Sequence, residues 1–295
     1  MSQKDEKRTA ALDESTSLVI ATSIADVRRD PAAEAELVTQ ALMNTPVQAG
    51  AISGEWTRVT LPDYCGWVRM EELEEPIVKG FCEGDEGVCG VPLPYSAVVM
   101  VPRVPLYARE EGEETLGELY LSTVLPFLDG GRAQRLRVSV PGTTDAWIPR
   151  TAVEIRPNAE LFPRTENKIV IAHAIDFLDV PYLWGGTSWR GIDCSGLVQL
   201  CYRMGGVILP RDADQQHAAL AEDISREQLR AGDLLFFGRE TITHVALALN
   251  RYEYIHAEGQ YVNKVTINSL DPAHPSYDAR LAELIRGIKR VQAPA

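Results

Sequence analysis

One cysteine in this sequence stands where a nucleophile would be activated. Cys194 lies at the predicted start of a helix, directly after a segment that contains Gly185, Gly186 and Gly191. The thiolate is the form of cysteine that attacks a carbonyl carbon, and the N–H groups and partial positive charge at a helix N terminus stabilise it. The glycines permit a tight entry and a close approach of a peptide backbone. Cys194 is therefore a candidate nucleophile with a lowered pKa, whereas Cys201, two turns further along, is expected in the core.

Two histidines further along the chain supply the other groups that such chemistry needs. A nucleophilic thiol requires a base within hydrogen-bonding distance, and that base requires a third group to fix its tautomer. His244 and His256 lie on two predicted strands joined by a four-residue turn. Positions twelve apart on adjacent strands can lie side by side, so His244 can face Cys194 while His256 holds its other nitrogen. Each residue alone is more often structural, but the combination favours a catalytic role.

Helices are predicted first in the C-terminal half. The apolar spacing after Asn167 predicts a helix that Asn167 caps and that Pro181 ends. A second helix is predicted to begin near Cys194 and to stop at Gly205-Gly206, and a short third one covers residues 212–220. The buried face of the first helix is predicted to consist of Ile169, Ala172, Ile175 and Leu178.

Strands follow these helices. Residues 234–237, 243–249 and 254–257 read as three successive strands of a β-meander. The last segment, residues 281–290, has helical spacing and is expected to pack on the rest of the domain. Helices followed by strands are typical of an α+β domain.

The N-terminal half contains an internal repeat. The pentapeptide RVTLP at residues 58–62 returns as RVSVP at residues 137–141, 79 positions later, and the similarity continues through a Gly-Trp or Ala-Trp pair. Short β-rich runs separated by Pro, Gly and Asp turns are typical of small antiparallel barrels or sandwiches. The repeat therefore predicts two β modules, with residues 71–90 as a connector between them.

Composition limits the classes of function. The chain has 295 residues, of which 45% are hydrophobic and 24% charged, which indicates a folded protein with a packed core. Its 29 basic and 42 acidic residues give a net charge of −13, so nucleic acid is not an expected partner. Residues 1–16 lack the apolar core of a signal peptide, and the longest apolar runs are five residues, so the sequence predicts a cytoplasmic protein without a membrane span.

The five cysteines do not suggest a disulfide framework. Their number is odd, and free thiols are the default for a chain predicted to stay in the cytoplasm. Cys82 and Cys89 flank an acidic, glycine-rich stretch and could close a loop or bind a metal. No histidine or further cysteine stands at zinc spacing beside them, and His173, His217 and His274 are given structural roles, so no cofactor and no metal are predicted.

Several motifs together carry a family resemblance. They are YLWGGT at residues 182–187, DCSG at 193–196, LPRD at 209–212, GDLLFF at 232–237, HVA at 244–246 and IH at 255–256. This set resembles the NlpC-type cell-wall cysteine peptidases, which have a compact papain-like fold, and the resemblance covers about residues 165–290. Two SH3-like barrels ahead of such a domain resemble the γ-D-glutamyl-L-diamino acid endopeptidases that recycle murein peptides in the cytoplasm.

The resemblance implies a domain organisation within the α+β class. A papain-like catalytic domain is preceded by two small all-β SH3-like barrels. The expected limits are a tail at 1–14, a first barrel at 15–80, a connector and second barrel at 81–157, and the catalytic domain at 158–295.

The resemblance also implies roles for particular residues. Cys194 is the nucleophile, His244 the general base and His256 the residue that orients it, while the hydroxyl of Tyr182 helps to hold the oxyanion. Substrate contacts are expected from Asp193, Ser195, Arg211 and Asp212.

Three of these substrate contacts have open alternatives. Asp193 can also be a plain helix cap, and Ser195 can contribute only its backbone N–H. Arg211 can pair with a substrate carboxylate or with an internal acid.

In the recycling enzymes, a tyrosine and an acid of the first barrel bind the free amine of L-alanine. Tyr64 stands at the tyrosine position, and the second repeat has Thr143-Thr144 there. The chain has Val38 where the family commonly has the acid, so Glu36 or Asp63 is expected to supply that contact. Ala213 replaces a common serine after Asp212, which removes one hydroxyl from the expected carboxylate pocket.

The predicted activity is hydrolysis of the bond between γ-D-glutamate and a diamino acid, diaminopimelate or lysine. Its substrate is a murein peptide with a free N-terminal L-alanine, and the reaction passes through an acyl thioester on Cys194. The alternatives are hydrolysis of intact cell-wall murein, an inert wall-peptide binding module, or an amidase or acyltransferase acting on another acyl donor.

Overall fold

The chain forms two compact units, Met1–Leu161 and Phe162–Ala295. The computed structural model describes residues 16–77, 94–129, 134–142 and 145–291. The expectations about the N-terminal tail, Cys82, Cys89 and Thr143-Thr144 fall outside these residues. The expected limits between the two barrels and the catalytic domain stay predictions.

The first repeat is a seven-stranded antiparallel sheet. Its strands are β1 (Thr16–Ile20), β2 (Ile24–Arg28), β3 (Leu37–Leu42), β4 (Pro46–Ser53), β5 (Trp56–Thr60), β6 (Cys65–Arg69) and β7 (Leu73–Glu74), in the order β3-β2-β6-β5-β4-β1-β7. A 3₁₀ turn, Met70–Glu72, joins the last two strands. Alternating residues such as Val27, Val59 and Val68 point into a core of their own.

The second repeat has the same strand order shifted by seven. Its strands are β8 (Tyr95–Val99), β9 (Arg103–Tyr107), β10 (Thr115–Tyr120), β11 (Val124–Asp129), β12 (Arg135–Val138), β13 (Ala146–Pro149) and β14 (Val153–Pro157), in the order β10-β9-β13-β12-β11-β8-β14. Strands β5 and β12 begin 79 positions apart, as the sequence repeat does. The sequence repeat is thus a repeat of structure.

The two repeats touch within this unit. The side-chain amide of Asn44 donates to the carbonyl of Val124 at 2.9 Å. Met43, at the end of β3, packs into the core of the second repeat. The two repeats together form the first unit, whose described part consists of β-strands, turns and short 3₁₀ segments.

The second unit is α+β. Its helices are α1 (Asn167–Asp176), α2 (Cys194–Met204), α3 (Ala213–Ala219) and α4 (Ala279–Glu283). Ahead of α2, β15 (Thr187–Ser188) pairs with β16 (Gly191–Ile192). The main sheet consists of β17 (Glu222–Asp223), β18 (Leu234–Phe237), β19 (His244–Ala248), β20 (Glu253–Glu258), β21 (Lys264–Ser269) and β22 (Ile285–Arg290). Its six strands are antiparallel, in the order β17-β22-β18-β19-β20-β21. Within the described part of the chain, no helix is both long enough and apolar enough to cross a bilayer.

The predicted cap and buried face of α1 are wrong. Asn167 is the first helical residue, and its side chain donates to the carbonyl of Ala231 at 3.2 Å instead of capping the helix. The residues expected in the core, Ile169, Ile175 and Leu178, are 37–43% exposed, whereas Val170 and His173 are buried. Six of the ten residues of this helix are apolar, four of them in a row at residues 169–172, so the spacing alone did not determine which face packs against α2. The helix also ends at Asp176, ahead of Pro181.

The prediction of a helix over residues 281–290 is also wrong for most of that segment. Helix α4 ends at Glu283, and the following residues form β22, which pairs with β18 in the centre of the sheet. Pairing with a distant strand buries Ile288 and overrides the local helical spacing.

In the first repeat, Gly66 of β6 lies very close to atoms of β2. The corresponding residue of the second repeat is Ala146. A Cβ at Gly66 would lie 2.6 Å from a methyl group of Val27 and 2.7 Å from the carbonyl oxygen of Arg28. We therefore expect Gly66→Ala to lower the free energy of unfolding of this unit by about 1–3 kcal/mol through overpacking.

Gly50→Ala in β4 is the matched control, because the nearest atom to a Cβ there is 3.9 Å away. Urea denaturation of both variants tests this prediction. Equal stability of the two would contradict the close packing at Gly66.

Candidate active site

Cys194 is held at the first position of α2 by the residue before it. Asp193 is the N-cap, and its Oδ1 accepts the N–H of Gly196 at 2.7 Å. Its Oδ2 accepts the N–H of Gly185 at 2.9 Å, which fixes the glycine-rich segment against the start of the helix. One carboxylate thus ties the entry loop to the helix that carries the thiol.

Arg211 completes this anchor. Its Nη2 lies 2.6 Å from Oδ2 of Asp193, and its Nη1 donates to Oδ1 of Asp193 at 3.0 Å and to Oγ of Ser195 at 2.9 Å. Both ionic groups are almost fully buried, with 1% of the Arg211 side chain and 9% of the Asp193 side chain exposed. Of the alternatives left open by the sequence, the structure therefore shows Asp193 as a helix cap and Arg211 paired with an internal acid.

The two catalytic histidine candidates lie in contact on neighbouring strands. Nε2 of His244, the first residue of β19, is 2.8 Å from Nδ1 of His256 on β20. Nε2 of His256 is in turn 2.9 Å from Oδ1 of Asn268 on β21. The backbone amide of Val245, next to His244, makes a hydrogen bond with the thiol of Cys194. The structure thus brings the nucleophile candidate to the start of β19.

Burial makes both partners of the proposed pair neutral at rest. Desolvation, followed by the charge of Asp193, raises the pKa of the Cys194 thiol to about 12, although hydrogen bonds from Val245 and Ser195 lower it. Desolvation, followed by the proximity of His256, lowers the pKa of His244 well below its usual range. Burial outweighs the hydrogen bond from the N–H of Ser195 at the helix start, which lowers the thiol pKa as expected, so the predicted net lowering is wrong for the resting protein.

Tyr182 lies beside the nucleophile. Its ring packs on Gly259, where a Cβ would approach the ring to 2.6 Å. Desolvation and then the charge of Cys194 raise the pKa of its hydroxyl, so the phenol keeps its proton and can donate a hydrogen bond.

The other residues expected to contact substrate are distributed over both units. Asp212 precedes α3, is partly exposed, and accepts the side-chain amide of Gln215 at 3.1 Å. Tyr64 lies between β5 and β6 and packs on the core of the first repeat. Glu36 pairs with Arg29 at 2.6 Å, and Val38 is buried in β3.

The remaining histidines and the other cysteines that the structure describes lie outside this row of hydrogen bonds. His173 is buried in α1, His217 lies in α3, and His274 is in a loop. Cys201 is fully buried and Cys65 is exposed. Among the residues that the structure describes, no group of three or more His, Cys, Asp or Glu side chains is placed to hold a metal ion.

Sequence analysis missed Asn268. The signal was present, because His244, His256 and Asn268 follow one another at intervals of twelve residues. On three successive antiparallel strands of similar length, this interval brings the three side chains into one row.

Comparisons with known proteins identify the class to which these units belong. Residues 179–282 match the NlpC/P60 family, and residues 27–73 match the bacterial dipeptidyl-peptidase SH3 domain. The chain therefore carries a papain-like NlpC/P60 domain after an SH3-like all-β region. The crystal structure of an NlpC/P60 family protein from Bacillus cereus has the same fold, with a TM-score of 0.77 and 23% identity over 93% of this chain and 99% of that chain.

Several relatives are similar in sequence over different shares of the chain. Dipeptidyl-peptidase 6 of Lysinibacillus sphaericus is 28% identical over 290 residues, which cover 92% of this chain and 97% of that protein. A γ-D-glutamyl-L-lysine dipeptidyl-peptidase of Bacillus cereus is 29% identical over 75% of this chain and 67% of its own length. A bifunctional muramidase/DL-endopeptidase of Bacillus subtilis is 43% identical over 83 residues, 26% of this chain and 25% of that protein.

The neutral resting state predicts the pH dependence of thiol alkylation. Because the pKa of Cys194 is raised to about 12, its thiolate fraction, and with it the rate of modification by iodoacetamide, should rise about tenfold per pH unit between about pH 6 and pH 9.

The exposed Cys65 serves as a reference in the same chain, and peptide mass spectrometry follows both sites. Cys194 should react more slowly than Cys65 at neutral pH. A fast rate for Cys194 that does not change with pH would instead indicate a preformed thiolate–imidazolium pair.

The buried ion pair predicts a structural role for Arg211. Arg211→Met leaves the carboxylate of Asp193 buried without its cation, so the free energy of unfolding of the second unit should fall by about 3–5 kcal/mol. Lys264→Met removes an exposed pair with Asp179 and should cost less than about 1 kcal/mol. Denaturation by urea distinguishes the two. An Arg211→Met protein with unchanged stability and only a raised KM would make Arg211 a substrate contact instead.

Proposed function

We propose that this chain is a cysteine endopeptidase that hydrolyses the bond between γ-D-glutamate and the following diamino acid, diaminopimelate or lysine, in murein peptides. The observation that carries the proposal is the row of hydrogen bonds from His244 through His256 that begins beside Cys194. The similarity to a γ-D-glutamyl-L-lysine dipeptidyl-peptidase of Bacillus cereus, over 75% of this chain, supports the choice of substrate.

The reaction begins with transfer of the thiol proton. Nε2 of His244 is engaged by His256, so Nδ1 is the nitrogen that accepts the proton of Cys194. The sulfur attacks the γ-carbonyl carbon of D-glutamate and forms a tetrahedral intermediate. N–H groups at the start of α2 and the hydroxyl of Tyr182 stabilise its oxyanion.

His244 then gives its proton to the nitrogen of the diamino acid. The bond between this nitrogen and the γ-carbonyl carbon breaks, and the diamino acid leaves. The acyl group remains on Cys194 as a thioester. A water molecule then gives a proton to His244 and attacks the thioester carbon, and the imidazolium returns that proton to the departing sulfur. The thiol and the neutral base are restored.

The thiol and imidazole carry no charge before substrate binds, so attack and proton transfer are coupled. Buried residues hold a neutral pair more easily than an ion pair, because charge in a dry site is costly. The helix start and Tyr182 therefore stabilise the charge that develops in the transition state, and not a charge that is already present at rest.

Recognition of the substrate is divided between two kinds of residue in this proposal. Tyr64 and Asp212 contact the peptide, with Tyr64 on the free amine of L-alanine, together with Glu36 or Asp63 in place of the missing acid at Val38. Ser195 contributes its backbone N–H, because its hydroxyl is held by Arg211 and Asp193. Asp193 and Arg211 act through the position of the helix and loop rather than by contact with substrate.

The place of action follows from the kind of substrate. Peptides with a free N-terminal L-alanine are fragments of murein, so the proposed role is recycling in the cytoplasm. Cell fractionation with an antibody against the chain tests that location.

Action on intact murein is the second candidate. It is favoured by the 43% identity of 83 residues of this chain to the muramidase/DL-endopeptidase. An inert binding module is disfavoured, because such a module needs neither a thiol at a helix start nor a base with an oriented tautomer.

Product analysis tests the activity directly. L-Ala-γ-D-Glu-meso-diaminopimelate, its N-acetylated form and the corresponding lysine peptide are incubated with the wild type and with Cys194→Ala, and mass spectrometry identifies the products. We expect free diamino acid from the unblocked peptides with the wild type alone. The substitution should abolish turnover while peptide binding persists, since it removes only the nucleophile.

Three other results would change the proposal. Equal cleavage of the acetylated peptide would remove the requirement for a free amine. Rapid release of peptides from whole murein would favour the second candidate. Turnover that survives Cys194→Ala would overturn the mechanism.

A further inference from the structure

We propose that Asn268 is a positioning residue that sets the tautomers of both histidines and leaves Nδ1 of His244 as the proton acceptor. This inference rests on the proposed roles of Cys194 and His244. It adds a fourth side chain to the site, on the strand beyond His256.

The argument starts from the orientation of the Asn268 amide. The carbonyl oxygen of Ser276 lies 2.8 Å from one end of this amide, and a carbonyl can only accept a hydrogen bond. That end must therefore be the NH₂ group. The opposite end, which faces His256 at 2.9 Å, is consequently the oxygen Oδ1.

The orientation of the amide determines the proton on His256. Oδ1 of Asn268 can only accept, so Nε2 of His256 must carry hydrogen. Burial lowers the pKa of His256 and keeps its ring neutral. A neutral imidazole has one N–H, so Nδ1 of His256 is an acceptor.

The same donor and acceptor argument applies to His244. Nε2 of His244 lies 2.8 Å from the acceptor Nδ1 of His256 and must donate to it. The ring of His244 is also kept neutral, since burial lowers its pKa. Its Nδ1 therefore has a lone pair, which is what removal of a proton from Cys194 requires.

The far end of this row is anchored in the backbone. The carbonyl of Ser276 also accepts the N–H of Ser269 at 3.0 Å, so its position is held by the strand that carries Asn268. His256 is fully buried, which leaves Asn268 rather than solvent as the partner of its Nε2. Arg280 pairs with Glu258 and Asp278 nearby, at 3.4 and 3.2 Å. Desolvation is the largest effect on the pKa of His256 and keeps it low, although the two carboxylates raise that pKa, and Arg280 lowers it further.

The tautomers can be observed without any substrate. Long-range ¹H–¹⁵N correlation spectra of the ¹⁵N-labelled full chain distinguish Nδ1–H from Nε2–H imidazoles, and the chain has only five histidines. In the wild type at neutral pH, His244 and His256 should both be Nε2–H. A wild-type spectrum with Nδ1–H on His256 would overturn the proposal.

Two substitutions separate the acceptor from the shape of the residue. Asn268→Leu removes the acceptor at similar volume and should give a mixture of tautomers at His256 and His244. Peptide turnover, as kcat, should fall by about 10²-fold, at the low end of the range attributed to a general base, with little change in KM. Asn268→Asp keeps an acceptor towards His256 but loses the donor to Ser276. It should keep both tautomers and retain more of the rate than Asn268→Leu, with a lower stability than the wild type.

Thr266→Val is the matched control, because Thr266 lies on the same strand and pairs with His256 in the ladder. It should leave the tautomers and the rate unchanged. The signals of His173, His217 and His274 show whether each variant is folded. A folded Asn268→Leu variant with wild-type tautomers would overturn the proposal.

Failure of the proposed function would look different. If no peptide is cleaved, the ¹H–¹⁵N spectra still report the tautomers of His244 and His256. Wild-type tautomers in a folded Asn268→Leu variant would overturn the role of Asn268 whether or not the chain is a peptidase.

Discussion

The buried ion pair between Arg211 and Asp193 is the interaction on which the rest of the site depends. Asp193 makes four kinds of contact at once: with the guanidinium, with the glycine-rich entry loop, with the first turn of α2 and with Ser195. A carboxylate can be buried this deeply only when its lone pairs are used and its charge is met. The cation thus fixes the carboxylate, and the carboxylate fixes the start of the helix that presents the thiol.

A second constraint comes from the sheet. Three neighbouring strands, β19, β20 and β21, each contribute one polar side chain to a row that ends at a backbone carbonyl. Every group in the row has a defined donor or acceptor role. The backbone carbonyl of Ser276 therefore determines which nitrogen of His244 carries the proton, and no member of the row is charged. A neutral base beside a neutral thiol is the result, and the helix start and Tyr182 are available for the charge that develops during the reaction.

The sequence predicted the parts of this arrangement that local spacing determines. Helix α2, its glycine stop and the strands carrying His244 and His256 lie where the sequence placed them. The buried face of α1 and the strand β22 could not be predicted, since each depends on packing against a distant element. The partner of Arg211 and the sign of the thiol pKa shift depend on burial, which spacing does not report. Asn268 was detectable from its interval of twelve residues, but its role needed the amide orientation that only Ser276 reveals.

The most direct test of the central claim, that Cys194 is the acyl-accepting nucleophile of a γ-D-glutamyl peptidase, is to trap the covalent intermediate. The wild-type protein is mixed with L-Ala-γ-D-Glu-meso-diaminopimelate, quenched in acid within the first turnover, digested and analysed by mass spectrometry. The account predicts one L-Ala-γ-D-Glu acyl group on the peptide that contains Cys194, and its disappearance on treatment with hydroxylamine. Release of diaminopimelate with no acyl group on that peptide, or with the group on another residue, would contradict it.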